Sequence, residues 1–201
     1  MRFLVRVANQ RKFKPSDARA LALSSFQAVQ GYGADVGNLR VSSSAVELDL
    51  LLESRDTLDA ATRALRDKLG PLLTIRELDT QPRRVDAEGA VREGVQLFNE
   101  ERYWESHEAL EYAWREAGGR EKEVLQGIIL VAAALVHLQK NERRVALGVM
   151  GRAQDKLRRH HGELFGIDLD SIRENISRMI EAGEPDFFRI QSKPHRSGAA
   201  A

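Results

Sequence analysis

Between Phe98 and Arg115 the chain reads Phe-Asn-Glu-Glu-Arg-Tyr-Trp-Glu-Ser-His-Glu-Ala-Leu-Glu-Tyr-Ala-Trp-Arg. Its histidine and carboxylates are the residues best placed to do chemistry. Projected on a helix of 3.6 residues per turn, Trp104, His107, Leu110, Glu111 and Trp114 share about one third of the circumference. Glu108 and Arg115 fall on the edge of that stripe, and Glu105, Ala109 and Tyr112 point elsewhere. A histidine and a glutamate four residues apart on an apolar stripe are costly unless they satisfy each other or hold something. Held together, His107 and Glu111 could share a divalent metal ion, with Glu108 offering another oxygen and a second helix completing the shell. The Glu-x-x-His spacing of di-iron bundles is absent, because Glu105 precedes His107 by two positions. As a catalyst, His107 would be the general base, tuned by Glu111, with Glu108 as a second acid or base; such a set suits hydrolysis or proton transfer. No cysteine, Gly-x-Ser-x-Gly or Walker sequence supplies a nucleophile or a phosphate loop. A third reading weighs more: a buried hydrogen-bond network in which Glu111 orients His107 and Arg115 or Gln126 completes the satisfaction. Tyr103, Trp104 and Trp114 could stack a planar ligand, although large aromatics at helical spacing are more often core.

The elements that must position these residues form a helical run. The pattern predicts helices near 86–99, 104–117, 120–139, 142–161 and 169–182, with Asp86 as the first N-cap. Asn99–Tyr103, Gly118-Gly119, Asn141 and the stretch Gly162–Asp168 separate them. The third helix is apolar almost all round, so it belongs at the centre of a bundle spanning 86–190, and Asp186-Phe-Phe-Arg-Ile190 folds back onto it. Glu123 and His137 both lie on this third helix, but fourteen residues is about 21 Å of rise, too far for one small site. Gly89 and Gly94 in the first helix either permit close packing or weaken it. Ahead of the bundle, residues 1–79 read strand, helix, strand, strand, helix, strand. Phe3, Val5 and Val7 alternate on the first strand, and Val46, Leu48, Leu50 and Leu52 on the third, which follows a serine turn. That order is the ferredoxin-like βαββαβ module. The predicted class is therefore α+β, with an N-terminal ferredoxin-like module, a linker at 80–85, an all-α bundle and a flexible tail at 191–201.

Composition narrows the classes of partner. The 201 residues are 30% charged, yet the charges nearly cancel to a formal +1, which gives no support to wholesale nucleic-acid binding. The outward positions of the first and third strands, Arg2, Leu4, Arg6, Glu47, Asp49, Leu51 and Glu53, are charged or aliphatic, unlike the aromatic platforms of RNA-recognition sheets. Cross-strand salt bridges on a solvated or partner-facing sheet explain them better. Arg83-Arg84, Arg143-Arg144 and the Lys156–His161 cluster read as solvated faces. With no cysteine, any metal site is built from histidine and carboxylates. Val124–Leu138 is too short and polar to span a bilayer, and the N-terminus lacks the apolar core of a signal peptide. A cytoplasmic protein is expected.

The second half, about 86–182, resembles the family known as domain of unknown function 309. The resemblance rests on Phe98, Asn99, Tyr103, Trp104, Glu105, His107, Glu108, Leu110, Glu111 and Trp114, then Gln126-Gly127, His137 and Asn141. It implies a compact helical bundle and no particular reaction. Leu130 and Val145 depart from the family pattern, which has a second polar residue and a glycine there, so a ligand shared across the family is weakened or lost if Leu130 replaces a site residue. The expectation is a binding or assembly protein with a polar His107/Glu111 pocket walled by Trp104 and Trp114. A protein partner, self-association or a small ligand all fit it. A metal-dependent hydrolase using His107, Glu108 and Glu111, its cofactor a divalent metal, is the rival, and RNA association a distant third.

Overall fold

In the computed structural model, residues 1–78 and 86–191 are described. The expected linker at 80–85 and all of the expected tail except Gln191 lie outside them. Two compact units emerge, an N-terminal α+β unit and a C-terminal helical one.

The N-terminal unit is built from β1 (Arg2–Ala8), α1 (Ala18–Val29), β2 (Ala34–Val41), β3 (Ala45–Leu52), α2 (Leu58–Leu69) and β4 (Leu72–Glu77). Its sheet runs β2-β3-β1-β4, antiparallel throughout, which is the ferredoxin-like arrangement. Period-two alternation fixes the register, pairing Phe3 with Leu50, Val5 with Leu48 and Val7 with Val46. These side chains meet Leu21 and Val29 of α1 and Leu65 and Leu69 of α2 in one core. The serine turn is locked by Ser42, whose Oγ accepts from Ala45 N at 3.0 Å, and by Asn9, whose Nδ2 donates to Ser42 O at 2.9 Å. Gly70 carries φ +146°, and a Cβ there would sit 2.6 Å from Ala8 O, so only glycine joins α2 to β4.

Two details differ from the sequence reading. β2 runs Ala34–Val41, where the alternation in the sequence places the second strand at 38–43. The outward carboxylates are not solvated: Glu47 and Asp49 are each 2% exposed. The salt bridges are there, Arg6 to Glu47 at 3.0 Å and Arg2 to Asp49 at 2.6 Å, with Arg40 near both acids at 3.7 and 4.0 Å. At that burial the ion pairs must satisfy one another, since water does not.

The helical unit comprises α3 (Ala87–Asn99), α4 (Tyr103–Glu116), α5 (Gly119–Gln139), α6 (Arg143–Leu157), the two-residue strands β5 (Glu163–Leu164) and β6 (Ile167–Asp168), and α7 (Leu169–Ala182). Asp86 caps α3 by accepting from Gly89 N at 2.7 Å. Asp168 caps α7, and Gly183, left-handed at φ +65°, ends it. α5 lies at the centre, contributing Val124, Leu125, Ile128, Ala132 and Leu135 to the core. α6 stops at Leu157, not at His161, and the expected loop 162–168 is a small hairpin turned by Phe165 and Gly166, both at positive φ. Among the described residues no helix is long and apolar enough to cross a membrane.

Candidate functional site

α4 is rotated from its projected position. The side chains it buries are Tyr103, Glu105, Ser106, Leu110 and Ala113. Trp104, His107, Glu111 and Trp114 sit half-buried on the flank, and Glu108 and Arg115 are exposed. The reason is steric. α3 and α4 pack so closely that a Cβ on Gly94 would fall 2.6 Å from Leu110 Cγ, and such an approach leaves room for serine and alanine but not for indole rings. Gly94 thus follows the close-packing reading. Gly89 sits against its N-cap instead, where a Cβ would stand 2.7 Å from Asp86 Oδ1.

The buried carboxylate of α4 is therefore Glu105, which the helical projection had turned away from the core. Arg102 binds it with two parallel hydrogen bonds, Nε to Oε2 at 2.7 Å and Nη2 to Oε1 at 2.6 Å, and reaches Glu100 Oε2 at 3.3 Å. The hydrogen bond to Glu105 holds the Arg102 guanidinium above its already high range despite partial burial. The arrangement fixes the turn into α4 and is structural.

His107 and Glu111 are not joined by a hydrogen bond or an ion pair. Glu111 instead pairs with Arg115 at 3.5 Å, on a side chain 40% exposed. His107 stacks on Trp104 with ring centroids 5.8 Å apart and planes 4° from parallel. Its Nδ1 is sealed from solvent with no hydrogen-bond partner, as is Nε1 of Trp114. The outer face of Trp114 carries the ammonium of Lys122, 4.5 Å from the ring centroid. Gln126 is half-buried on α5 and makes no hydrogen bond to the set. The other histidines among the described residues are paired: His137 with Glu142 at 2.5 Å, His160 with Glu123 at 3.0 Å, and His161 with Asp170 at 3.3 Å. Among the described residues no group of three histidine and carboxylate side chains is placed to hold a metal ion. Glu111, expected to share a metal ion with His107, is paired with Arg115 here.

Tyr103 is not a ligand platform either. It is fully buried, edge-on to Phe98 at 5.0 Å and stacked on Phe187 at 5.8 Å. Its hydroxyl has no hydrogen-bond partner, and burial, reinforced by the carboxylates of Glu101 and Asp186, pushes its ionisation well above the usual tyrosine range. Asn99 does related work: its Nδ2 donates to Ile190 O at 3.1 Å and its Oδ1 accepts from Ile190 N at 2.8 Å. The Phe98-Asn99 pair and Tyr103 together bind the segment 186–190, whose return to the bundle the sequence anticipates. Gln126's neighbour Gly127 has a packing role too, since a Cβ there would meet Leu157 at 2.6 Å. Two open clefts, of about 440 and 400 Å³, lie elsewhere. The first is lined by Phe26, Leu51 and Glu53 and the second by Arg143, Met179 and Asp186; neither includes His107 or Glu111.

Comparison with known proteins points to the same stretch of the helical unit. Residues 91–149, which span most of α3, all of α4 and α5 and the start of α6, match the family model described as Domain of unknown function (DUF309). No curated protein matches the chain.

Proposed function

From a helical unit that carries a domain of this family, we propose that the protein is a binding module, in which the Trp104–His107–Trp114 flank of α4 receives polar groups of a protein partner. The observation that carries the reading is the pair of unpartnered nitrogens, His107 Nδ1 and Trp114 Nε1. Leaving a polar group buried and unpaired costs roughly 1–3 kcal/mol. The two residues are seven apart, about 10.5 Å along the helix and on nearly the same face. A partner segment that offers a carbonyl to the indole and a donor or acceptor to the imidazole relieves both costs at once. Half-burial lets these rings adjust without disturbing the core side of α4. What supports binding over metal-dependent hydrolysis is that Glu111 pairs with Arg115 and that, among the described residues, no group of three histidine or carboxylate side chains is placed to hold a metal ion.

Two aromatic variants test the proposal. Trp114→Phe and His107→Phe keep an aromatic ring at each position and remove the nitrogens; Trp114→Phe also gives up part of the indole's packing, so its melting temperature should fall slightly while that of His107→Phe stays level. Cross-linking and mass spectrometry on the purified wild-type protein in cell extract should identify a partner that both variants lose. Calorimetry with that partner should then show at least a tenfold weakening. Unchanged partner affinity in both variants would refute the reading. A melting temperature raised by zinc or manganese in the wild type, and not in His107→Phe, would instead return the metal-dependent hydrolase.

A further inference from the structure

The cations of the helical unit differ in what meets them. Arg92, Arg102, Arg115, Arg143 and Arg173 each hold a carboxylate. The cations along the outer face of α6 and its following turn hold none: Arg144, Arg152, Lys156, Arg158 and Arg159 are exposed, with no ion pair among the described residues. Between Arg143 and Arg159 there are six basic residues and one acid, Asp155. Unpaired cations gathered along one helix raise the local positive potential and favour a polyanionic surface there.

The shape of this face narrows the occupant. At 3.6 residues per turn Gly148 lies at its centre, with Arg144 and Arg158 on one flank and Arg152 and Lys156 on the other. A Cβ on Gly148 or Gly151 would meet nothing within 4 Å. The helix therefore presents bare backbone at Gly148, between positive charge on both sides, with Asp155 following about two turns further along the midline. α6 carries no aromatic residue, so it offers no platform for the unstacked bases of a single strand. The major groove of B-form DNA, about 12 Å wide, admits an α-helix and flanks it with two rows of phosphates, whereas the major groove of A-form RNA is too narrow. A lipid surface is flat and would not reward a bare midline between two charged flanks.

We propose that α6 docks in the major groove of duplex DNA, its flanking cations on the phosphates of the two strands. Asp155, near the midline, is an acceptor where base edges would lie and suits a cytosine amino group. Each phosphate these cations neutralise releases condensed counterions, so binding is salt-sensitive. Neutralising about five phosphates gives a log–log salt slope near −4.5, or about a 500-fold loss of affinity between 50 and 200 mM salt.

The experiment is fluorescence anisotropy of the full chain with a labelled 20-base-pair DNA duplex, compared with duplex RNA, single-stranded DNA and vesicles containing phosphatidylserine. Duplex DNA should bind most tightly. The variant Arg144→Gln/Arg152→Gln/Lys156→Gln, at exposed positions that leave the fold intact by circular dichroism, should lower the slope to about −2. Gly148→Leu alters no charge and favours the helix, yet should cost at least tenfold for duplex DNA by filling the midline. Equal binding to DNA and vesicles, or a Gly148→Leu protein that binds duplex DNA as well as wild type, overturns the groove assignment. Tighter binding to RNA or to single strands does the same, as does no binding at 50 mM salt.

Discussion

Tyr103 shows at the scale of one residue how a matching family position can be structural. Its ring bridges Phe98 and Phe187, and its hydroxyl is buried without a partner. Because burial raises its ionisation, the folded state keeps the phenol neutral where an unfolded tyrosine, with its ordinary value near 10, has begun to ionise. The contribution is thus fully present below pH about 10 and is lost as pH rises above it, at up to about 1.4 kcal/mol per pH unit from this group. Denaturant unfolding between pH 9 and 11 should show that slope in the wild type and a shallower one in Tyr103→Phe. At neutral pH the variant should lie within about 1 kcal/mol of wild type or above it, since it removes an unsatisfied hydroxyl. The family likeness of the segment around His107 was legible in the sequence; the pairing of Glu111 with Arg115 was not. A helical projection assigns faces by ring size, and here it is led by the two tryptophans. The alternative stripe of Tyr103, Ser106, Leu110 and Ala113 carries smaller residues, and only the approach of α3 at Gly94 selects it.

Elements were easier to read than faces. The helix limits fell within a few residues because chemistry marks them: Asp86 and Asp168 as caps, Gly183 as a left-handed stop. The β5–β6 hairpin escaped notice, since two-residue strands are too short to alternate. The glycines separate into two kinds that sequence cannot tell apart. Gly94 and Gly127 face neighbours that a methyl group would strike, whereas Gly148 faces open space. Alanine gains about 1 kcal/mol of helix propensity over glycine at any of the three. Overpacking costs about 1–3 kcal/mol only at the first two. Chemical denaturation should therefore find Gly94→Ala and Gly127→Ala destabilised by up to about 2 kcal/mol and Gly148→Ala stabilised by roughly 0.5–1 kcal/mol.

Across the whole molecule, the two hydrophobic clusters share no residue. Leu48→Ala and Ile128→Ala should each remove about 2–5 kcal/mol from the core they belong to. Amide hydrogen exchange should then quicken in β1 and β3 for the first and in α5 for the second; acceleration of both units by either substitution would contradict the division. A formal charge of +1 also conceals an uneven distribution. Residues 86–116 hold nine acids and three basic residues, while 143–159 hold the reverse imbalance. Overall balance therefore speaks about the average surface and not about α6. The clasp of Asn99 on Ile190 has a consequence for the order of synthesis. Phe98 and Tyr103 leave the ribosome some ninety residues before Phe187 and Phe188 arrive to cover them. Until then a nascent chain exposes one side of the bundle core, and that interval is when a chaperone has something to hold.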